Sequence, residues 1–244
     1  MGIRSIRSIE VYGTWQEVDP EHVRGKAVVV VDALRATTTL STMLAHGAQA
    51  ILPVESVDEA RALRQKIPQI ILSGERNNEP PMDFDGGNSP LEYPPARVLG
   101  RRIALTTTNG TKAITRCSDS GAMAAAALVN AGAAARWLCQ SELEGGVIIS
   151  AGDRGQLALE DWLASGAIVD GLGPCQWSDR ARAAHLAFVG AKPRLQAVLS
   201  EANHGAQLIA QGMGRDVEFS ASLDRFPGLG VRAEDGWFRL WNRP

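Results

Sequence analysis

The chain has 244 residues, of which 45% are hydrophobic and 21% charged, and its formal net charge is -2. This composition is typical of a globular protein with a sizeable core, and it excludes an intrinsically disordered chain. Apolar runs fall short of the roughly 20 residues of a membrane-spanning helix, and the scattered arginines provide no basic field for nucleic acid. We therefore expect one compact domain over residues 1–244 that binds neither a membrane nor nucleic acid.

The cysteines indicate a reducing compartment. Cys117, Cys139 and Cys175 are widely spaced and form no CxxC pair, and no secretory signal is visible. This pattern favours free thiols over a disulfide framework, so we expect a cytoplasmic protein.

Strand and helix patterns alternate through the first third of the chain. The β-branched run at 26–32 is continuous, which predicts a buried strand, and Ser56 suits the N-cap of a following helix. The predicted elements here are an extended start at 3–11, strands at 26–32, 50–54 and 70–72, and helices at 37–46 and 57–66. The alternation predicts an α/β fold with parallel strands and crossover helices.

A segment rich in proline and glycine interrupts this pattern at residues 74–95, and a loop of this length is usually functional. The later predicted elements are strands at 101–107 and 146–150, helices at 111–115, 131–141, 159–172, 178–188, 192–201 and 206–211, and strands and turns over 217–241. The alanine-rich stretch 122–128 suits either a strand or a helix. The repeated strand and junction pattern also suggests two related halves.

Three junctions join a hydrophobic strand to small polar and charged residues that open a helix. They lie at 28–39, 103–111 and 147–161. In an α/β sheet such loops gather at the carboxyl ends of the strands, where helix N-termini attract anions. We therefore expect chemistry on a small phosphorylated molecule.

The first junction places Asp32 at a strand end and Arg35, Thr37 and Thr38 at the helix entry. An aspartate there can bind Mg²⁺ or attack phosphorus, and a guanidinium matches phosphate oxygens. Helix capping by the aspartate or a threonine is the alternative.

Polar residues also follow the strand predicted at 70–72. Glu75 and Arg76 come shortly after it, and Asn88 and Ser89 follow two glycines in the long loop. We expect the charged pair to point into the same crevice, with a solvated surface pair as the alternative. The glycines permit close approach to a ligand, although the same residues suit an ordinary turn.

The second junction, TTTNGT, offers hydroxyls, an amide and backbone donors within a short arc. We expect it to hold an anion, although threonine is also a good strand former and NG a good turn. Its candidate substrate-binding residues are Thr108, Asn109, Gly110 and Thr111.

The third junction carries Gly152, Asp153 and Arg154, followed by Glu160 and Asp161 in the first turn of a helix. Gly152 and Arg154 are further candidates for substrate binding. Acids in the first turn also stabilise a helix through its dipole, so each acid taken alone favours that simpler role.

Asp32, Glu75 and Asp161 together are candidate ligands of Mg²⁺, which binds through one or two carboxylates, waters and a substrate phosphate. Zinc is not expected, because the four histidines are dispersed without paired-ligand spacing. The sequence also lacks the usual nucleotide-binding and thiol-phosphatase motifs.

Six ordered motifs closely resemble those of the 2-phosphosulfolactate phosphatase family. They are DALRATTT, PVESVDEA, GERN, FDGGNSP, TTTNGT and AGDRGQLALEDWLASGAI, and a fainter resemblance continues through 204–227. The resemblance implies a three-layer α/β/α fold and Mg²⁺-dependent hydrolysis of the phosphate ester of a 2-hydroxy acid, releasing sulfolactate and phosphate in coenzyme M biosynthesis. The site residues that it implies are Asp32, Arg35, Glu75, Asn88, Asn109 and Asp161.

Within this resemblance, Asp32 is a metal ligand or the nucleophile, Glu75 or Asp161 completes the metal shell, and Arg35 holds phosphate. Asp224 matches a family acid near the C-terminus and is a further candidate.

Other functions stay open. The third junction departs from the more neutral family form at Asp153 and Arg154, which makes a related 2-phospho-acid an alternative substrate. A non-catalytic binder of phosphorylated acids, and a lyase or mutase that uses the same crevice, are the remaining alternatives. Trp237 and Trp241 suit either core packing or the interface of a homo-oligomer.

Overall fold

The computed structural model describes residues 6–242. Its strands are β1 (Ser8–Tyr12), β2 (Ala27–Val31), β3 (Ala50–Pro53), β4 (Ile71–Gly74), β5 (Arg102–Thr106), β6 (Ala122–Ala126), β7 (Gly145–Ser150), β8 (Gln176–Trp177), β9 (Leu229–Arg232) and β10 (Phe238–Trp241). Its helices are α1 (Ala36–Ala45), α2 (Val57–Lys66), α3 (Pro95–Val98), α4 (Gly110–Arg116), α5 (Ala131–Cys139), α6 (Leu159–Asp170), α7 (Asp179–Ala191), α8 (Leu195–Glu201), α9 (Asn203–Ala210) and α10 (Gly214–Ser220). The extended start predicted at 3–11 forms β1 from Ser8, and residues 3–5 lie outside the described part.

The ten strands found within residues 6–242 form one mixed sheet in the order β4-β5-β3-β10-β9-β6-β2-β7-β1-β8. Strand pairs inside the group β4-β5-β3 are parallel, and so are those inside the group β6-β2-β7-β1-β8. The predicted α/β fold with a largely parallel, mixed sheet is confirmed.

The C-terminal hairpin of β9 and β10 lies between the two parallel groups. β10 pairs antiparallel with β3 and with β9, and β9 pairs antiparallel with β6. These three successive reversals mean that the two parallel groups run in opposite directions along the sheet. From the sequence, the polar junctions are expected to meet at one edge of a sheet whose strands all run in the same direction. The sheet does not have that arrangement, because its two parallel groups run in opposite directions.

Alternate residues of β2 face two separate cores. Val29 and Val31 pack in a cluster with α5, α6 and α7, whereas Val28 and Val30 pack in a cluster with α1 and α4. Helices therefore cover both faces of the sheet, which is the three-layer α/β/α arrangement.

The core around α1 and α4 spans both parallel groups. It contains Ile51 of β3 and Ile103 of β5 together with Ile149 of β7. Side chains from both groups thus meet in one cluster on the face of the sheet that α1 and α4 cover. The loops after β2, β4, β5 and β7 also meet, although the two groups run in opposite directions.

Local patterns predict most element boundaries, and the C-terminal segment is the main exception. Strands and turns are predicted from residue 217, but that residue lies inside α10. Asp216 pairs with Arg35 of the first junction and Val217 is fully buried, and such tertiary contacts override local propensity. The ambiguous alanine-rich stretch forms β6, which pairs with β2 on one side and β9 on the other. None of the helices described here is long and apolar enough to cross a membrane.

Candidate active site

A crevice of about 370 Å³ opens where the polar junctions meet. It is bounded by the loops after β2, β4, β5 and β7, by the 3-10 helix Trp15–Glu17 and by α9. The predicted site residues that line it are Asp32, Arg35, Glu75, Asn88, Thr108, Asn109 and Arg154. The structure thus brings together residues from all three junctions and from the proline-rich loop.

Asp32 follows β2 and is 7% exposed. Its Oδ1 accepts a hydrogen bond from the N–H of Ala36, at 3.1 Å, and so caps α1 while the side chain lines the crevice. Burial raises the pKa of Asp32 to about 6, against the lowering effects of that hydrogen bond and of the charge of His204. Asp32 is therefore a buried carboxyl of the crevice whose charged form is disfavoured by burial.

Glu75 ties the loop after β4 to the loop after β5. Its Oε1 accepts hydrogen bonds from the N–H and the hydroxyl of Thr108, at 2.8 and 2.9 Å, and its Oε2 accepts one from the N–H of Asn78 at 3.0 Å. The donors of Thr108, which the sequence suggests for phosphate, are thus directed at Glu75. Glu75 itself is 6% exposed and lines the crevice.

Asp161 joins the loops after β2 and β7 from behind the crevice. Its Oδ1 accepts the N–H of Ala33 at 2.7 Å, and its Oδ2 accepts the N–H of Gly152 at 2.9 Å. Burial raises the pKa of Asp161 well above its ordinary value, and the nearby charges of Asp32 and Glu160 add to this effect. Both oxygens of Asp161 are therefore engaged in positioning the backbone.

Arg35 forms a buried ion pair with Asp216 of α10. The Nη1 to Oδ2 distance is 2.7 Å, and the two side chains are 2% and 5% exposed. The other carboxylate oxygen of Asp216 accepts the hydroxyl of Ser89 at 2.7 Å. Asp216 thus positions the guanidinium of Arg35, which lines the crevice, while Ser89 lies outside the lining.

Two lining residues carry buried polar atoms without hydrogen-bond partners in the described part of the chain. They are the amide oxygen Oδ1 of Asn88, an acceptor, and the indole Nε1 of Trp15, a donor. Buried polar atoms are rarely unpartnered in proteins unless water, an ion or a ligand completes their bonding. These atoms mark two positions in the crevice where a ligand would find a partner.

His204, in the first turn of α9, also lines the crevice. Its Nδ1 lies 3.3 Å from Oε1 of Glu160, a carboxylate that is 2% exposed. Burial by itself would lower the pKa of His204, but the hydrogen bond and charge of Glu160, together with Asp32 and Asp153, outweigh it and raise that pKa. The carboxylates around His204 therefore favour its charged form.

Several predicted site residues support the crevice without lining it: Thr37, Thr38, Arg76, Ser89, Gly110, Thr111, Gly152 and Asp161. Thr37 and Thr38 are buried, and their hydroxyls donate to backbone carbonyls at the end of β2. Thr111 donates its hydroxyl to the carbonyl of Thr107, and Arg76 donates to the hydroxyl of Thr106. Gly110 begins α4 beside Asp32, and Gly152 donates its N–H to Asp161.

The sequence motifs do not indicate Lys112 or one face of α9, which also line the crevice. Lys112 comes directly after TTTNGT, and that adjacency is the signal that points to it. His204, Gln207 and Gln211 recur at spacings of three and four residues, which places them on one helical face. Nothing local links that face to the junctions, because α9 reaches them only through the fold.

Asp224 lies away from the crevice lining. Its exposed carboxylate accepts the N–H of Gly132, at 2.6 Å, in the first turn of α5. The side chain therefore caps α5.

The described residues contain no group of three His, Cys, Asp or Glu side chains arranged to hold a metal ion. The crevice instead offers the carboxylates of Asp32, Glu75 and Asp153, and the unpartnered Oδ1 of Asn88. This donor set fits Mg²⁺, which usually takes one or two carboxylates and completes its octahedron with water and substrate oxygens.

Fold and site together define an α/β protein with a crevice of carboxylates, amides and guanidinium groups at the ends of its strands. Residues 12–234 match the family profile described as 2-phosphosulpholactate phosphatase. The chain therefore belongs to the 2-phosphosulfolactate phosphatase family, as its motifs predict.

Three bacterial relatives, each named probable 2-phosphosulfolactate phosphatase, are similar over most of their length. That of Symbiobacterium thermophilum is 39% identical over 220 residues, which cover 88% of this chain and 94% of the relative. That of Thermotoga petrophila is 38% identical over 204 residues, covering 84% and 88%. That of Caldanaerobacter subterraneus subsp. tengcongensis is 32% identical over 223 residues, covering 89% and 92%.

Proposed function

We propose that the protein is a Mg²⁺-dependent phosphatase that hydrolyses the phosphate ester of a small 2-hydroxy acid, with 2-phosphosulfolactate as its substrate. The observation that carries the proposal is that Asp32 and Glu75, both nearly buried, line one crevice with the unpartnered Oδ1 of Asn88. Family membership supports the reaction type, hydrolysis of a phosphoric monoester.

Asp32, Glu75 and Asn88 are the residues that would hold Mg²⁺. The ion supplies positive charge to the phosphate oxygens and to the carboxylates around it. A cation bound there would oppose the burial that raises the pKa of Asp32. The place of Asp161 in the metal shell stays a prediction, since its side chain lies behind the crevice and does not line it.

Donor groups around the crevice suit a substrate with acid groups besides its phosphate. Lys112 and Trp15 line the crevice together with an adjoining hollow, and Arg154 lines it together with another. We assign the phosphate to Arg35 and the further acid groups to Lys112, Trp15 and Arg154.

Another 2-phospho-acid is the second candidate substrate. Arg154 favours it, because this residue of the third junction lines the crevice and is in place to select the acid group. A plain anion binder is less well supported, since the carboxylates of Asp32, Glu75 and Asp153 in the crevice would repel an anionic ligand unless a cation lies between.

The proposal is tested by measuring phosphate release from a panel of 2-phosphosulfolactate, 2-phospholactate and phosphoglycolate, with Mg²⁺ or with a chelator. We expect Mg²⁺-dependent release, fastest from 2-phosphosulfolactate. Faster release from another member of the panel would reassign the substrate. Full activity in the presence of chelator would show that the reaction does not need Mg²⁺. Binding of these compounds without release would support the non-catalytic binder.

A cytoplasmic setting and a place in coenzyme M biosynthesis belong to the same proposal. Support for the first comes from Cys117, Cys139 and Cys175, which are free thiols in the described structure. Trp237 and Trp241 each pack against a hydrophobic core, and a homo-oligomer stays a prediction.

A further inference from the structure

The pair of His204 and Glu160 has no part in the assignments made so far. Nδ1 of His204 faces the carboxylate of Glu160, and no residue of the described chain bonds its other ring nitrogen, Nε2. The side chain of His204 is 18% exposed and lines the crevice, whereas Glu160 is 2% exposed and lies behind it. A carboxylate that fixes one nitrogen of an imidazole leaves the other nitrogen to act on a ligand.

The proposed reaction needs a proton at a defined atom. Hydrolysis of an alkyl phosphate ester breaks the bond between phosphorus and the ester oxygen, and an alkoxide is a poor leaving group unless it is protonated. The acids nearest the crevice, Asp32 and Glu75, are already assigned to the metal. Of the other titratable residues in the lining, which include Lys112 and Asp153, His204 is the one whose ring is oriented by a buried carboxylate.

We propose that His204 is the general acid of the reaction and that Glu160 is the residue that positions it. This inference rests on the proposed phosphatase function. His204 donates its Nε2 proton to the ester oxygen as the P–O bond breaks, and the oxygen of a water molecule forms the new bond to phosphorus. Both water protons stay at first on the phosphate, which then loses one to solvent while His204 regains one.

The charges around His204 favour this role at neutral pH. Carboxylates face it from several elements: Glu160 from α6, Asp32 from the end of β2, and Asp153 from the loop after β7. Glu201 from α8 lines the adjoining hollow, and the crevice cations Arg35 and Arg154 are the opposing charges. The acids, Glu160 above all, outweigh burial and raise the pKa of His204.

The experiment compares the wild type with His204→Gln and Glu160→Gln, in Mg²⁺, on the panel member that the wild type hydrolyses fastest. His185→Gln is the matched control, because His185 also faces a carboxylate, Asp170 at 3.5 Å, but lies outside the crevice. We measure kcat and KM from pH 5 to 9, and thermal unfolding shows whether each variant is folded.

We expect His204→Gln to lower kcat by about 100-fold or more with little change in KM, as for the loss of a general acid. Wild-type kcat should fall as the pH rises through the pKa of His204. Glu160→Gln should move this fall to lower pH, because removing the carboxylate lowers that pKa. A purely structural role would not produce that shift, and it can be measured even if His204→Gln does not fold.

Other outcomes separate the two proposals. Suppose that the wild type releases phosphate but folded His204→Gln keeps its kcat or changes KM alone. The assignment of His204 as general acid is then wrong, whereas the proposed phosphatase function is unaffected. If kcat of Glu160→Gln falls at the same pH as kcat of the wild type, Glu160 does not position His204. If the wild type releases no phosphate from any panel member, the phosphatase itself fails, and the general acid fails with it.

Discussion

Gly110 determines how closely α4 approaches the carboxylate of Asp32. A Cβ atom at this position would lie 2.7 Å from Oδ2 of Asp32 and 2.8 Å from Cβ of Ala36. Both distances are well inside van der Waals contact, and the neighbouring atom on Ala36 belongs to a helix that cannot easily move. The glycine of TTTNGT is therefore needed for its lack of a side chain.

Gly110→Ala should push the Asp32 carboxylate out of place and lower kcat by about 100-fold, the order of loss that a displacement of about 1 Å can cause. It should also lower the free energy of unfolding by about 1–3 kcal/mol through overpacking. Gly190→Ala is the control, because nothing lies within 4 Å of the added Cβ in α7. Equal activity of the two variants would show that Gly110 does not constrain Asp32.

At the scale of elements, the ion pair of Arg35 and Asp216 fastens α10 to the start of α1. Both side chains are almost fully buried, and Asp216 also holds the hydroxyl of Ser89 in the proline-rich loop. A helix near the C-terminus thus supports a guanidinium at the first junction. Removing one partner of such a pair leaves the other charge buried and unpaired.

Asp216→Asn should lower the free energy of unfolding by about 3 kcal/mol or more, because it leaves Arg35 without its counter-ion in a buried site. Asp235→Asn is the matched control, since the ion pair of Asp235 with Arg239 is about half exposed and screened by solvent, so its loss should lower the free energy of unfolding much less. Urea unfolding of both variants gives the comparison. Similar losses in the two would contradict a structural role for the buried pair.

Across the whole molecule, the elements that can be predicted from sequence are those fixed by local contacts. Helix α2 has the predicted bounds, because Ser56 caps it locally by accepting the N–H of Glu59. Strand β2 is equally local, since its five residues are fully buried and its pattern is a continuous run of valines after one alanine. Features that depend on neighbours along the chain are therefore readable from the chain.

Features that depend on residues distant in the chain cannot be predicted from the sequence. No local pattern indicates that β9 and β10 insert between two parallel groups, or that this insertion reverses one group relative to the other. Glu160 has the pattern of a helix-stabilising acid, and its pairing with His204 appears only when α6 and α9 are packed together. The sequence therefore predicts the part of the crevice that the junctions form, but not the part that α9 forms.

In the proposed reaction, Asp32 carries the chemistry of a phosphatase acting on 2-phosphosulfolactate. Asp32→Asn keeps the size of the side chain and the amide oxygen that can cap α1, but it removes the carboxylate charge. The direct test is the initial rate of phosphate release from 2-phosphosulfolactate by the wild type and by Asp32→Asn at saturating Mg²⁺. We predict turnover by the wild type and a loss of about 1,000-fold or more in the variant, the scale of an essential electrostatic group. Full activity of a folded Asp32→Asn variant would contradict the account.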